Sequence, residues 1–190
     1  MYTEDFILRQ INIAVAILRQ LLRLKAAGQH QEALQAVDQA LETLLGLRAS
    51  LLEQLEDGKV ISMLDMPNGL DTERLALIAE LYKEAGEIHK QEGRAAQSQA
   101  ADRRALRFYL ELALADPKLL DAGLMGKVST LQTSQPLVDL PLETQMALLD
   151  YLEGLRGKPD SELEATGTSR SALEAAVLTL EALLPDSRTE

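Results

Sequence analysis

The chain has 190 residues, a formal net charge of −11 and no cysteine or tryptophan, and aromatic residues make up only 3% of it. Without cysteine there can be no disulfide framework, thiolate metal site or cysteine nucleophile, and the composition fits a reducing cytoplasm, where we expect the protein to reside. The negative charge argues against general nucleic-acid binding, which depends on lysine and arginine to displace counterions from phosphates. The first thirty residues are the only basic segment, with four basic and two acidic side chains.

The first predicted helix, about Thr3 to Ala27, is apolar enough to be compared with a membrane segment. Its longest uncharged run covers positions 10–18, whereas a transmembrane helix needs about 20 apolar residues. It opens with Thr3-Glu4-Asp5 rather than with the basic region of a signal peptide. We therefore expect a folded helix and no membrane partner.

The spacing of apolar residues along the rest of the chain predicts an all-α protein. Glycine or proline marks most helix ends, and the stretch Asp65 to Asp71 is predicted to be a loop because of its Pro and Asn-Gly content. The further predicted helices cover about Gln29–Leu45, two short pieces within Leu47–Leu64, Thr72–Gln91, Arg94–Ala115, a short piece after Lys118, Pro141–Gly154 and Ser171–Leu184.

The first four long helices form two predicted hairpins, each with a glycine turn, and the second resembles a tetratricopeptide repeat. The resemblance is carried by "LYKEAGEIHKQEG" followed by "ALRFYLELALADP". Gly86 resembles the small residue at the helix crossing, Ala105 and Tyr109 the small and aromatic positions, and Pro117 the terminating proline. Ala33, Val37 and Ala40 match the second-helix positions of the first unit. The stretch from Gly86 to Pro117 is about two turns longer than the repeat pattern.

A second resemblance concerns residues 1–115. "MYTEDFILRQI" together with "GQHQEALQAVDQALETLLGL" resembles the start of a family of uncharacterised bacterial proteins, which pair an N-terminal Met-Tyr-x-x-Asp-(Tyr/Phe) helix with tetratricopeptide-like hairpins. It implies about two irregular repeats over residues 1–117 and no particular activity. We expect residues 118–190 to be a helical extension that packs on the same core, in a single domain.

The sequence contains no recognisable catalytic, cofactor-binding or metal-binding motif. A carboxylate-bridged metal site would need Glu-x-x-His pairs, but Gly86 and Ala27 stand three residues before the two histidines, His89 and His30. The stretch 123–129 lacks the first glycine and the Ser or Thr of a phosphate-binding loop. We therefore assign no catalytic, cofactor-binding or metal-ligating residue.

The apolar face of the first helix spans about 200°, twice what one hairpin partner covers. This face could be covered in two ways: the C-terminal helices could pack on it within the chain, or a second copy of the chain could pack on it in a homodimer. The residues of such a dimer seam are Ile11, Val15, Leu18 and Leu22.

The helix at 72–91 presents a polar face at the positions that line the concave surface of a tetratricopeptide unit. These residues, Glu80, Lys83, Glu87, Lys90 and Gln91, could hold an extended peptide or a helix terminus of a partner protein, or could simply be the solvated side of the helix. We interpret the chain as a protein–protein interaction module or structural adaptor. The alternative is an enzyme or ligand sensor with a pocket between the hairpins and the C-terminal helices.

Overall fold

The computed structural model describes residues 2–67 and 69–184, and over these residues the protein is all-α, which confirms the predicted fold class. The only strands in the described ranges are two of two residues each, paired antiparallel. The elements are α1 (Tyr2–Ala26), α2 (His30–Leu45), α3 (Ala49–Leu52), α4 (Asp57–Ser62), β1 (Asp65–Met66), β2 (Gly69–Leu70), α5 (Thr72–Gln91), α6 (Ala95–Ala115), α7 (Ala122–Thr133), α8 (Leu142–Leu155), α9 (Asp160–Glu164) and α10 (Arg170–Leu183).

The chain divides into two compact units, and the division lies within α6. Unit 1 extends to Phe108 and unit 2 begins at Tyr109. Every helix in the described parts of both units is too short or too polar to cross a lipid bilayer.

Unit 1 is built on an α1–α2 hairpin that packs against α5. Gly28 ends the first helix and Gly46 caps the second, both with positive φ (72° and 68°), a conformation that glycine adopts without steric cost. Along α2 the buried side chains recur every three or four residues and include Ala33 and Ala40, both fully buried. Ala33, Val37 and Ala40, the residues that match the second-helix positions, are therefore all buried.

Helices α5 and α6 approach closely at Gly86. A Cβ atom at this position would overlap Oδ1 of Asp102 and would lie 3.4 Å from the carbonyl oxygen of Ser98, both on α6. Ala105, one turn further along α6, is fully buried. The predicted role of Gly86 as the small residue at a helix crossing agrees with this geometry.

Two arginines hold the connection between α2 and α5: Arg74 binds residues at its two ends, and Arg104 binds residues near its middle. At the α5 end, Asp71 caps the helix by accepting a hydrogen bond from the amide of Arg74, and the Arg74 side chain donates to Asp71 and to the Leu44 carbonyl. The predicted loop before Asp71 is instead a small β-hairpin, in which Met66 pairs with Gly69. Gly69 has φ of +114°, which explains why a glycine stands here.

Arg104 of α6 holds the irregular segment between α3 and α4. Its guanidinium donates to Asp57 Oδ1 (2.7 Å), to the carbonyl oxygens of Leu52 (3.0 Å) and Leu55 (2.6 Å), and to the Tyr82 hydroxyl (2.9 Å). It also lies 5.0 Å from the centre of the Tyr82 ring, within range of a cation–π interaction. We call these contacts the Arg104 network.

Unit 2 has an aliphatic core built around α8, against which α10 packs. Gln145 of α8 donates from Nε2 to the carbonyl oxygens of Leu137 and Leu140, which holds the segment before the helix. The helices predicted after Lys118, after Pro141 and near Ser171 are present, and the five-residue helix α9 was not predicted.

Arg170, the first residue of α10, holds the turn between α8 and α9. Its guanidinium donates to Asp160 Oδ1 (2.9 Å) and to the carbonyl oxygens of Arg156 (2.9 Å) and Lys158 (2.5 Å). These contacts form the Arg170 network, which resembles the Arg104 network in its mixture of one carboxylate and two carbonyls.

Candidate partner-binding surface

Lysines and glutamates from α1 and α5 form a continuous group of ion pairs on unit 1. We call it the charge cluster; its residues are Lys25, Glu80, Lys83, Glu84 and Glu87. Lys25, in the last turn of α1, donates from Nζ to Glu84 Oε2 at 2.5 Å and also to Glu87. The cluster therefore joins two helices that are about 60 residues apart in the chain.

Lys83 occupies the centre of the charge cluster. Its Nζ lies 3.0 Å from Glu84 Oε1, 3.4 Å from Glu80 Oε1 and 3.5 Å from Glu87 Oε1. Three of its neighbours therefore carry the opposite charge, and two of them are one helical turn away on the same helix, the spacing at which side chains meet. Lys83 is held in one orientation by these contacts.

Burial within the cluster decreases outwards from Glu84. The Glu84 side chain is 6% exposed, those of Glu80 and Lys83 are 24% exposed, and that of Glu87 is 45% exposed. A buried carboxylate is costly unless it is paired, and Glu84 has both lysines as partners. The cluster thus has a buried base and a solvent-accessible outer side.

The pKa values in the cluster follow from its pairing. Burial alone would lower the pKa of Lys83 and of Lys25, but hydrogen bonds and charges of the neighbouring glutamates outweigh burial and raise both. Burial alone would raise the pKa of Glu87, but Lys25 and Lys83 outweigh it and lower that pKa. All three side chains are therefore charged at neutral pH.

Asp102 lies on α6, next to Gly86 of α5. Burial raises the pKa of its carboxyl group above the ordinary value, and the charge of Lys90 opposes that rise only in part. Its ionised form is thus disfavoured by the fold, in contrast to that of Glu87.

The structure brings three of the five predicted partner-binding residues together in the charge cluster, namely Glu80, Lys83 and Glu87. Lys90 and Gln91 lie beyond it, exposed in the last turn of α5. Sequence reasoning did not include Lys25 and Glu84 in this face. Nothing local distinguishes Lys25 or Glu84 from a solvated side chain.

The predicted dimer-seam residues lie along one flank of α1. At about 100° per residue, Leu18, Ile11, Leu22 and Val15 are about 40–100° round the helix from Ala14, which is buried. Ile11, Val15 and Leu18 are half-buried, and Leu22 is 45% exposed. Leu8, at the edge of the same flank, is 52% exposed. We call these five residues (Leu8, Ile11, Val15, Leu18 and Leu22) the apolar flank.

No protein-family model, curated protein or solved structure matches this chain. Within residues 2–67 and 69–184, no group of three or more histidine or acidic side chains is placed to hold a metal ion.

Proposed function

We propose that this protein is a protein–protein interaction module or adaptor of the tetratricopeptide-like type, which binds a polar peptide segment of its partner on the outer side of α5. The contacts of unit 1 support the comparison with such repeats, because α1 packs on α2, and both pack on α5. In a stacked array of helical hairpins, each hairpin contacts its neighbours in this way.

The observation that carries the proposal is the fixed orientation of Lys83. Lysine has a flexible side chain, and ordering it on binding costs about 0.5–1.5 kcal/mol. Here the contacts with Glu80, Glu84 and Glu87 have already ordered it. Its partly exposed ammonium group and the half-exposed Glu87 carboxylate offer a donor and an acceptor side by side, which suits a peptide backbone or a helix terminus.

The positions of Lys90 and Gln91 extend this surface by about one further turn of α5. Both are exposed and follow the cluster along α5. A segment that binds the cluster can therefore also accept hydrogen bonds from the Lys90 ammonium group. It can both donate hydrogen bonds to the Gln91 side-chain amide and accept them from it. We infer a mixed polar interface, whose binding weakens with rising salt.

The test removes Lys90 and Gln91 and leaves the charge cluster intact. Lys83→Glu would be a poor choice, because it would place a fourth carboxylate among three glutamates and would unfold the surface itself. The double variant Lys90→Ala, Gln91→Ala keeps helix-forming residues at exposed positions. The matched control is Lys59→Ala, Gln54→Ala, which changes the same residue types at two other exposed positions of unit 1.

Each protein is used as bait in a lysate of the source cell, and captured proteins are quantified by mass spectrometry at low and moderate salt. We expect at least one protein to be captured by the wild type and the control and to be lost, by about tenfold or more, with the Lys90, Gln91 variant. If every captured protein is retained equally by both variants, this surface does not bind them.

A further inference from the structure

We propose that a second copy of this chain covers the apolar flank of α1, in an antiparallel α1–α1 pairing centred on Val15. This inference goes beyond the proposed function, because it concerns α1 and a copy of the same chain, and it does not depend on a partner at α5. The starting observation is the exposure of Leu8 and Leu22, which lie on the same flank as Val15.

The flank is symmetric along the helix. Leu8 is seven residues before Val15 and Leu22 is seven residues after it, while Ile11 and Leu18 are four before and three after. A two-fold axis through the centre of two antiparallel helices places each residue opposite its mirror position, so that Leu8 of one copy meets Leu22 of the other. Interfaces between identical subunits need this kind of self-complementarity.

The charges along α1 select the antiparallel direction. Its first turn carries Asp5 and its last turn carries Arg23, while Arg9 points about 40° further away from the apolar flank than Asp5 does. Asp5 and Arg23 are eighteen residues apart, which is five full turns, so they lie on the same edge of the helix. In the antiparallel pairing Asp5 of each copy is within about two residues of the level of Arg23 of the other copy, and the opposite charges attract. In a parallel pairing the two copies of Asp5 would lie at one level and the two copies of Arg23 at another, so this pair of opposite charges would not form.

The same edge also carries Asn12 and Arg19, both exposed. They lie three residues before and four residues after Val15, so that the amide of one copy meets the guanidinium of the other. A polar edge beside an apolar centre is the usual composition of a protein interface. The occupant inferred from the apolar symmetry and the charge order is therefore a second copy rather than an unrelated apolar ligand.

The natural absence of cysteine allows the pairing to be tested with single cysteines. Val15→Cys lies at the two-fold axis and should form a disulfide-linked dimer under mild oxidation. Leu22→Cys should not link to itself, because the two copies of residue 22 would be about 21 Å apart in the antiparallel register. A mixture of Leu22→Cys with Leu8→Cys should form the mixed dimer. Ile13→Cys, which is exposed but about 160° round α1 from Val15, is the control that should form no disulfide-linked dimer.

Mass measurement provides an independent readout. By light scattering, the wild type should have twice the mass of one chain, which is 20.8 kDa. The Leu22→Glu variant should have the mass of one chain. Leu178→Glu alters a leucine of α10 that is 63% exposed, and this control should remain a dimer. Asp5→Arg and Arg23→Asp should each weaken the dimer by about two- to fivefold, and the two changes combined should restore it.

A monomeric wild type at all concentrations would overturn the proposal, and so would self-linking of Leu22→Cys as efficient as that of Val15→Cys, which would indicate a parallel pairing. Binding of a monomer to anionic vesicles through Leu22 would overturn it as well, since the flank would then cover a lipid surface. None of these results would bear on the α5 surface.

Discussion

The Arg104 network of unit 1 and the Arg170 network of unit 2 are built from the same groups but differ in burial. Each guanidinium binds one aspartate and two backbone carbonyls of a turn. The side chains of Arg104 and Asp57 are 16% and 20% exposed, whereas those of Arg170 and Asp160 are 35% and 67% exposed. Since removing a partner is costly only where water cannot replace it, the same contacts should differ in energy between the two units.

The largest expected effect tests this comparison directly. Arg104→Ala leaves the Asp57 carboxylate and the Leu52 and Leu55 carbonyls without their donor, and we expect it to lower the free energy of unfolding by about 3 kcal/mol. Arg170→Ala should lower it by less than about 1 kcal/mol, because water reaches its partners. Urea unfolding followed by circular dichroism measures both.

The matched control for Arg104 is Arg104→Lys, which retains the charge but not the planar set of donors, and should recover only part of the loss. Equal losses for Arg104→Ala and Arg170→Ala would show that burial does not decide the energy of these networks.

The second prediction compares two helical glycines, one in each unit. Gly86→Ala would bring a methyl group against Asp102, and we expect a loss of about 1–3 kcal/mol through overpacking. A methyl group at Gly154 of α8 would meet nothing within 4 Å beyond its chain neighbours and the backbone of its own helix, so Gly154→Ala should gain about 0.5–1 kcal/mol from helix propensity. Thermal unfolding gives the sign of each change.

Asp102→Ala removes the carboxylate that opposes a side chain at position 86. In that background, the cost of Gly86→Ala should largely disappear. A cost that is unchanged would assign the clash to the backbone of α6 instead, and the close approach at Asp102 would not be the reason for glycine.

The smallest effects concern two carboxylates of unit 1 with opposite pKa shifts. Glu87 has a pKa below its ordinary value of 4.5. Its ionised form therefore stabilises the fold at pH values above 4.5, and this contribution is lost as the pH falls through the lowered pKa. Glu87→Gln should therefore cost roughly 0.5 kcal/mol at pH 7, and the difference from wild type should vanish in acid.

Asp102 should behave in the opposite sense, because its pKa is raised by burial above the ordinary 3.8. Its stabilising form is the protonated one, which is lost as the pH rises through the raised pKa. Asp102→Asn imitates that form and should raise the melting temperature at pH 7 but not at pH 3. If both variants shift the melting temperature in the same direction at pH 7, the pKa assignment of one carboxylate is wrong.

Local sequence signals predicted the helices well, because these signals act within a few residues. The bounds of α5 coincide with the predicted Thr72–Gln91. The hairpin at Asp65–Leu70 and the five-residue helix α9 were missed, since such short elements carry too few residues to show a period.

The candidate site was only half predictable, for a different physical reason. Glu80, Lys83 and Glu87 follow from their spacing on one helix, but Lys25, which pairs with the buried Glu84, comes from another helix 59 residues away. The contacts of Arg104 also depend on residues about fifty positions distant. A single sequence contains no local trace of such pairs.

The short turn at Gly28 has a consequence for the order in which the chain folds. Only three residues separate α1 from α2, so little entropy is lost when this hairpin closes. During synthesis both helices of the hairpin are complete long before the ribosome adds Arg104. The hydrogen bonds of Arg104 to a segment some fifty residues earlier in the chain therefore form late. We therefore expect changes in the hairpin to slow folding, and changes at Arg104 to speed unfolding.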